Sequence, residues 1–221
     1  MAEIKYIKWD HTPLDERLSK LNSGIVDLSL ISLEEFQKSG NRIISLEENA
    51  LLRMYPNRRD LKYHYINEEG NQTRECFVYV PDKGIFLTKH EDFPLLEIEV
   101  IKNEYNNGSE IGSERFFINH SLFDNPLKKV LKDSIKVEEK EISTNTFGKD
   151  EITDYVFGTI AKDYGDFLRE KGIETMRIGT PKYELGRKPF VQLVWFANVN
   201  GNGKSQIVPS EIHRMLRVVK N

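Results

Sequence analysis

The chain has 221 residues, of which 38% are hydrophobic and 30% are charged, and its formal net charge is -3. This composition predicts a folded protein with a substantial core and excludes a long disordered chain. The nearly balanced charge argues against a whole-surface electrostatic grip on nucleic acid or on a membrane. Cys76 is the only cysteine, so no internal disulfide can form, and the sequence favours a reducing, cytoplasmic location.

No part of the sequence predicts a membrane partner. The longest apolar run is Phe190–Ala197, which is much shorter than the roughly 20 residues that a membrane-spanning helix needs. The first ten residues lack the apolar core of a secretory signal, which again favours the cytoplasm.

The first sixty residues predict short helices that alternate with short strands. Three Ser or Thr residues, each followed three positions later by an acid, predict helix starts: Thr12 with Asp15, Ser32 with Glu35, and Ser45 with Glu48. The first two helices are predicted to end at Gly24 and Gly40, and the third at about Met54, before Pro56. Strands are predicted between them at residues 26–30 and 42–44.

The middle of the chain is rich in predicted strands. They cover residues 61–66, 73–80, 85–88, 95–101 and 115–118. Turns are predicted at 68–71 and at Pro81-Asp82-Lys83-Gly84, and residues 106–113, which are rich in Asn and Gly, are predicted to form a loop.

The last hundred residues again mix helices and strands. The predicted elements are a helix from Asp124 or Asn125 to about 133, a charged edge strand at 135–142, a long helix near 150–171, a central strand at 190–197, a strand at 206–208, and a final helix. Ser210 is predicted to begin that C-terminal helix, whose apolar residues recur at helical spacing: Ile212, Met215, Leu216 and Val219.

These elements predict an α+β fold. Its mostly antiparallel central sheet is accompanied by short N-terminal helices, one long helix near 150–171 and a C-terminal helix. We expect a single domain over residues 1–221. An alternative division has two lobes, 1–105 and 114–221, joined by the loop at 106–113.

Three acidic residues in the middle of the chain form a candidate metal site. Glu97 and Glu99 are two residues apart in a predicted strand, so they face the same side, and Asp82 follows Pro81 in the preceding turn. Clustered carboxylates can hold Mg²⁺ or Mn²⁺. The pattern is similar to the PD-(D/E)xK nucleases, in which acids hold Mg²⁺ and a lysine helps to activate water. Glu99 occupies the usual lysine position, and Lys102 lies three residues further on.

Ordinary strand alternation also explains these acids. In that interpretation Asp82 is a turn residue, while Glu97 and Glu99 are the solvent-facing positions of a half-buried strand. This alternative assigns no metal, no cofactor and no catalytic role to the three carboxylates.

A second candidate site lies around the end of the third predicted helix. Cations and aromatic rings alternate there, and these residue types are common in contacts with proteins and with single-stranded nucleic acid: Arg53, Arg58, Arg59, Tyr63 and Tyr65. In the alternative interpretation Arg53 compensates the helix dipole and the other residues belong to a solvated loop.

No complete catalytic motif is present in the sequence. Gly203-Lys204-Ser205 is like the end of a phosphate-binding loop, but Asn198 stands where that motif needs a glycine. The sequence therefore favours a non-catalytic binding or assembly module with a protein or nucleic-acid partner, and homo-oligomerisation remains an open alternative. The alternative function is a divalent-metal-dependent nuclease or phosphodiesterase that uses Asp82, Glu97, Glu99 and Lys102.

Overall fold

A computed structural model describes residues 24–26, 41–54, 70–89, 116–117, 131–181, 190–197, 205–209 and 216–220. Its strands are β1 (Gly24–Val26), β2 (Asn41–Ile43), β3 (Asn71–Val80), β4 (Gly84–Thr88), β5 (Phe116–Phe117), β6 (Ile135–Val137), β7 (Lys140–Ser143), β8 (Thr175–Ile178), β9 (Phe190–Ala197), β10 (Ser205–Pro209) and β11 (Leu216–Lys220). Its α-helices are α1 (Leu46–Met54), α2 (Glu151–Phe157) and α3 (Ala161–Glu170), and short 3-10 helices occupy Thr144–Thr146 and Gly158–Ile160.

The described strands join in one sheet. Its main order is β1-β11-β3-β9-β10-β8-β7, with β2 on β11, β4 on β3, β6 on β4 and β5 on β9. The pairings are antiparallel except for β8 with β10 and β3 with β11. The predicted α+β class with a mostly antiparallel sheet is therefore confirmed.

Strand β9 is the central strand of this sheet. It pairs with β3 along one edge, and with β10 and β5 along the other. Val191 and Trp195 alternate with Val194 and Phe196, and all four side chains are buried. The prediction of a central strand that is covered on both faces is confirmed.

The helices cover one face of the sheet and form a shared core with it. Helical residues of this core include Leu46, Leu51, Phe157, Tyr164 and Leu168, and strand residues include Phe77, Leu87, Phe196 and Ile207. Burying each large apolar side chain contributes about 1.5–3 kcal/mol, so this layer is a major source of stability.

Helix α1 begins as its sequence predicts. The Ser45 hydroxyl accepts a hydrogen bond from the Glu48 N–H (3.0 Å), and the Ser45 N–H donates to Glu48 Oε2 (2.9 Å). This reciprocal pair satisfies two N–H groups at the helix start and confirms the predicted capping box.

The predicted long helix is two helices. Its start is confirmed, because Asp150 Oδ1 accepts hydrogen bonds from the N–H groups of Ile152 and Thr153. At Gly158, however, φ is +53°, which breaks the α-helical hydrogen bonding and leads into a 3-10 turn before α3 begins. Glycine adopts this backbone conformation without steric cost, so the break is local to that residue.

The predicted C-terminal helix is wrong in its described part. Residues Leu216–Lys220 form β11, which pairs with β1, β2 and β3. Apolar residues at helical spacing in a short segment also fit a strand, and the consecutive β-branched residues Val218 and Val219 favour the extended conformation. The predicted edge strand at 135–142 is likewise divided, into β6 and β7.

Several predicted elements lie outside the described residues. They are the first two helices, the strands at 61–66 and 95–101, the loop at 106–113 and the start of the helix near 124. Residues 131–132, at the predicted end of that helix, are described and are helical. None of the described helices is long and apolar enough to cross a membrane.

Candidate functional site

The last turn of α1 is attached to the end of the central strand through Arg53. The guanidinium donates hydrogen bonds to the carbonyl oxygens of Phe196 (2.9 Å) and Ala197 (3.1 Å), and to the side chain of Asn49 (3.2 Å). It also lies 3.7 Å from the centroid of the Phe196 ring. Arg53 is 1% exposed, so these carbonyl contacts replace the water that a buried cation loses.

Gly70 brings a second segment to the same two residues. A Cβ atom at this position would lie 2.5 Å from the Phe196 carbonyl oxygen and 2.8 Å from the Ala197 Cα, and its φ is +79°. Any larger residue would therefore clash with the backbone and be strained as well. We call Arg53, Gly70, Phe196 and Ala197 the Arg53 clamp.

Aromatic side chains support the clamp from the helical layer. The Tyr164 hydroxyl lies 3.4 Å from the Arg53 guanidinium, and the Phe157 ring is 4.9 Å from the Tyr164 ring and 6.0 Å from the Phe196 ring. Burial raises the pKa of Tyr164, and the neighbouring Arg53 charge lowers it in part. The Tyr164 hydroxyl is therefore a neutral hydrogen-bonding partner rather than an acid.

Gly165 lets α3 approach this aromatic layer closely. A Cβ atom there would lie 2.6 Å from the Thr144 carbonyl oxygen and 2.7 Å from the Phe147 Cβ. The Phe147 ring in turn lies 6.0 Å from the Phe157 ring. The glycine thus serves packing within the chain.

The clamp determines where two further segments join the fold. Residues 55–69 begin directly after α1 and end at Gly70, and residues 198–204 connect β9 to its antiparallel neighbour β10. Arg53, Gly70 and Ala197, which stand at or next to the ends of these segments, therefore meet at the same end of β9.

The predicted contact residues divide between the core and these segments. Arg53 is buried, so its guanidinium belongs to the scaffold and not to an exposed contact surface. Its position in the last turn of α1 agrees with the alternative of dipole compensation. Arg58, Arg59, Tyr63 and Tyr65 lie outside the described residues.

The predicted acidic site is only partly described. Asp82 is exposed in the β3–β4 turn with a φ of +62°, a conformation that Asp tolerates better than most residues. Glu97, Glu99 and Lys102 lie outside the described residues. Within the described ranges, no three His, Cys, Asp or Glu residues are grouped so that they could hold a metal ion. The nuclease alternative remains a prediction.

Sequence reasoning missed the partners of Arg53 because they are far away in the chain. Phe196 lies 143 positions after Arg53, and no local pattern indicates that pairing. The sequence predicts Gly70 as a turn residue, which is part of its role. The close approach to Ala197, which requires a glycine, depends on the tertiary structure and has no local pattern.

Comparison with known proteins identifies a fold and no family. No family model matches the chain, and no curated protein matches it. A solved structure, from work on how the C-type lectin fold accommodates massive sequence variation in Nanoarchaeota, aligns with a TM-score of 0.61 and 13% sequence identity. The alignment covers 90% of this chain and 97% of the other. At this identity the likeness shows a shared C-type lectin fold.

Proposed function

We propose that this protein is a non-catalytic binding module whose contact surface is formed by residues 55–69 and 198–204. The observation that carries the proposal is that the described residues flanking both segments meet at the Arg53 clamp, where Arg53 and Gly70 contact the last two residues of β9. Binding residues are often located on connecting segments that a rigid scaffold positions.

The composition of the two segments supports a binding surface. Residues 55–69 contain Arg58, Arg59, Tyr63 and Tyr65, and Arg and Tyr carry much of the energy in protein–protein contacts. Residues 198–204 contain three Asn and two Gly residues, which supply adaptable hydrogen bonding. We therefore propose a protein partner, with Arg53 supporting the surface from beneath.

The neighbouring fold supports a scaffold that tolerates changes of sequence. The C-type lectin fold of Nanoarchaeota is described as accommodating massive sequence variation. We propose that this chain also accommodates sequence variation, and that residues 55–69 and 198–204 can be exchanged while the clamp and the aromatic layer stay unchanged.

The test combines partner capture with thermal stability for the double variant Arg58→Ala/Arg59→Ala. We expect this variant to lose a partner that the wild-type protein captures from a lysate of its source cells, while its Tm stays within about 2 °C of wild type, because surface substitutions rarely change stability much.

The matched control is Lys149→Ala/Lys162→Ala, which removes two exposed cations near the α2–α3 region. This control variant is expected to capture the same partner as wild type and to have the same Tm. Capture of the same partners by all three proteins would contradict a contact surface at residues 55–69. If Arg58→Ala/Arg59→Ala loses binding to a single-stranded oligonucleotide and not to a protein, the partner class is nucleic acid and not protein.

A further inference from the structure

Strand β3 contains a β-bulge that the proposed function does not use. Thr73 pairs with Val194, but the next residue in register with β9 is Cys76, opposite Leu193, so Arg74 and Glu75 are extra residues on this strand. Bulges redirect a strand locally and are common next to functional features. The residues of this bulge contact the start of α1.

Both bulge residues bind the segment that begins α1. The Arg74 N–H donates to the Ile44 carbonyl oxygen (2.9 Å). The Glu75 carboxyl accepts a hydrogen bond through Oε2 from the Leu46 N–H (2.9 Å). Leu46 is the first residue of α1, and N–H groups at a helix start have no partner within the helix, so Glu75 supplies one from the sheet.

Glu75 makes this contact from inside the protein, since it is 1% exposed. Burial raises the pKa of Glu75, while the positive charge of Arg74 and the hydrogen bond from Leu46 lower it in part. Of these opposing effects burial is the largest, because an ionised carboxylate loses most of its hydration there.

Other titratable groups surround Glu75 on three elements. Cys76 lies beside it on β3, Glu47 and Glu48 occupy the first turn of α1, and Tyr155 faces it from α2. Burial, together with the charge of Glu75, raises the pKa of Cys76 and of Tyr155. Two cations lie on the neighbouring strands: Arg74 precedes Glu75 on β3, and Lys89 follows Thr88, the partner of Cys76, and donates from its ammonium group to the Tyr155 carbonyl oxygen (2.6 Å).

We propose that Glu75 makes the attachment of α1 to β3 pH-dependent, so that the contact stabilises the fold most in acid. A carboxyl group with a higher pKa in the folded chain than in the unfolded chain binds protons more readily when folded. Its contribution is complete below the unfolded pKa and is lost as the pH rises through the folded pKa. The proposal involves no binding partner, so it stands or fails independently of the proposed function.

The test is the Tm of wild type and Glu75→Gln between pH 4.5 and pH 8 at constant ionic strength. Glutamine keeps an oxygen that can accept the Leu46 N–H but cannot ionise. We expect the Tm of E75Q minus that of wild type to increase by about 3 °C or more across this range. A difference that is constant or that decreases with rising pH would overturn the proposal.

The matched control is Glu151→Gln, which changes an exposed glutamate in the first turn of α2. Its Tm difference from wild type is expected not to increase with pH. If E75Q does not fold, the side-chain carboxyl carbon of Glu75 in the wild-type protein can be titrated by NMR. A midpoint clearly above that of an ordinary glutamate supports the proposal, and a midpoint at or below it overturns the proposal.

Discussion

A buried acidic side chain attaches the first residue of helix α1 to the sheet, and a buried basic side chain attaches its last turn. At the first residue, the Leu46 N–H donates to Glu75 of β3. At the last turn, Arg53 donates to the carbonyl oxygens that end β9. The Arg53 cation complements the helix dipole, because cations are favoured at the C-terminus, whereas Glu75 supplies a hydrogen-bond acceptor to the first N–H of the helix.

The two attachments differ in their response to pH. Arginine stays protonated in proteins at all ordinary pH values, whereas burial raises the pKa of the Glu75 carboxyl. The Arg53 end therefore keeps its charge and its hydrogen bonds across this range, as a support of the proposed contact surface would need. The contribution of the Glu75 contact to the stability of the fold is expected to change with pH.

The largest expected effect comes from removing the Arg53 guanidinium. Arg53→Met leaves the carbonyl oxygens of Phe196 and Ala197 without this donor inside the protein, so we expect a loss of about 3–5 kcal/mol in the free energy of unfolding. Urea unfolding measures it. Arg53→Lys keeps the charge but not the forked geometry, and is expected to lose an intermediate amount.

A small effect of Arg53→Met would contradict the role of Arg53 as an attachment of α1. A free energy of unfolding for Arg53→Met within about 1 kcal/mol of the wild-type value would mean that the clamp is not a major attachment. A difference of that size is close to the uncertainty of extrapolating urea data to water. The proposed base of the contact surface would then lack its main support.

A smaller effect is expected at Gly70, the other half of the clamp. Gly70→Ala is expected to lose about 2–4 kcal/mol, because it combines backbone strain with a clash against the end of β9. Gly172→Ala is a matched control, since Gly172 has a similar φ of +75° but no atom within 4 Å of the added Cβ.

Comparing the two glycine variants by urea unfolding separates strain from contact. Gly172→Ala should lose only the strain component, about 1 kcal/mol. Equal losses of unfolding free energy in both variants would mean that the close approach of Gly70 to Phe196 and Ala197 adds no measurable cost to the backbone strain.

The sequence predicts the fold well wherever the signal is local. The Ser45–Glu48 capping box, the turn at 81–84 and the apolar strand at 190–197 each follow from residues within a few positions of one another. The structure confirms all three elements.

The parts that the sequence does not predict depend on distant partners. Leu216–Lys220 became a strand because β1, β2 and β3 are available to pair with it, which its own spacing does not indicate. Arg53 and Glu75 look like ordinary surface charges of a helix end and of a strand. Their partners, Phe196 and Leu46, lie 143 and 29 positions away.

We have proposed that the clamp belongs to the scaffold and that residues 55–69 and 198–204 form a separable surface. Urea unfolding tests this claim in one variant in which Arg58, Arg59, Tyr63 and Tyr65 become Ser and residues 198–204 become a Gly/Ser segment of equal length. We predict a free energy of unfolding within about 1 kcal/mol of wild type. A loss as large as that expected for Arg53→Met would contradict the claim, because the surface residues would then be part of the scaffold.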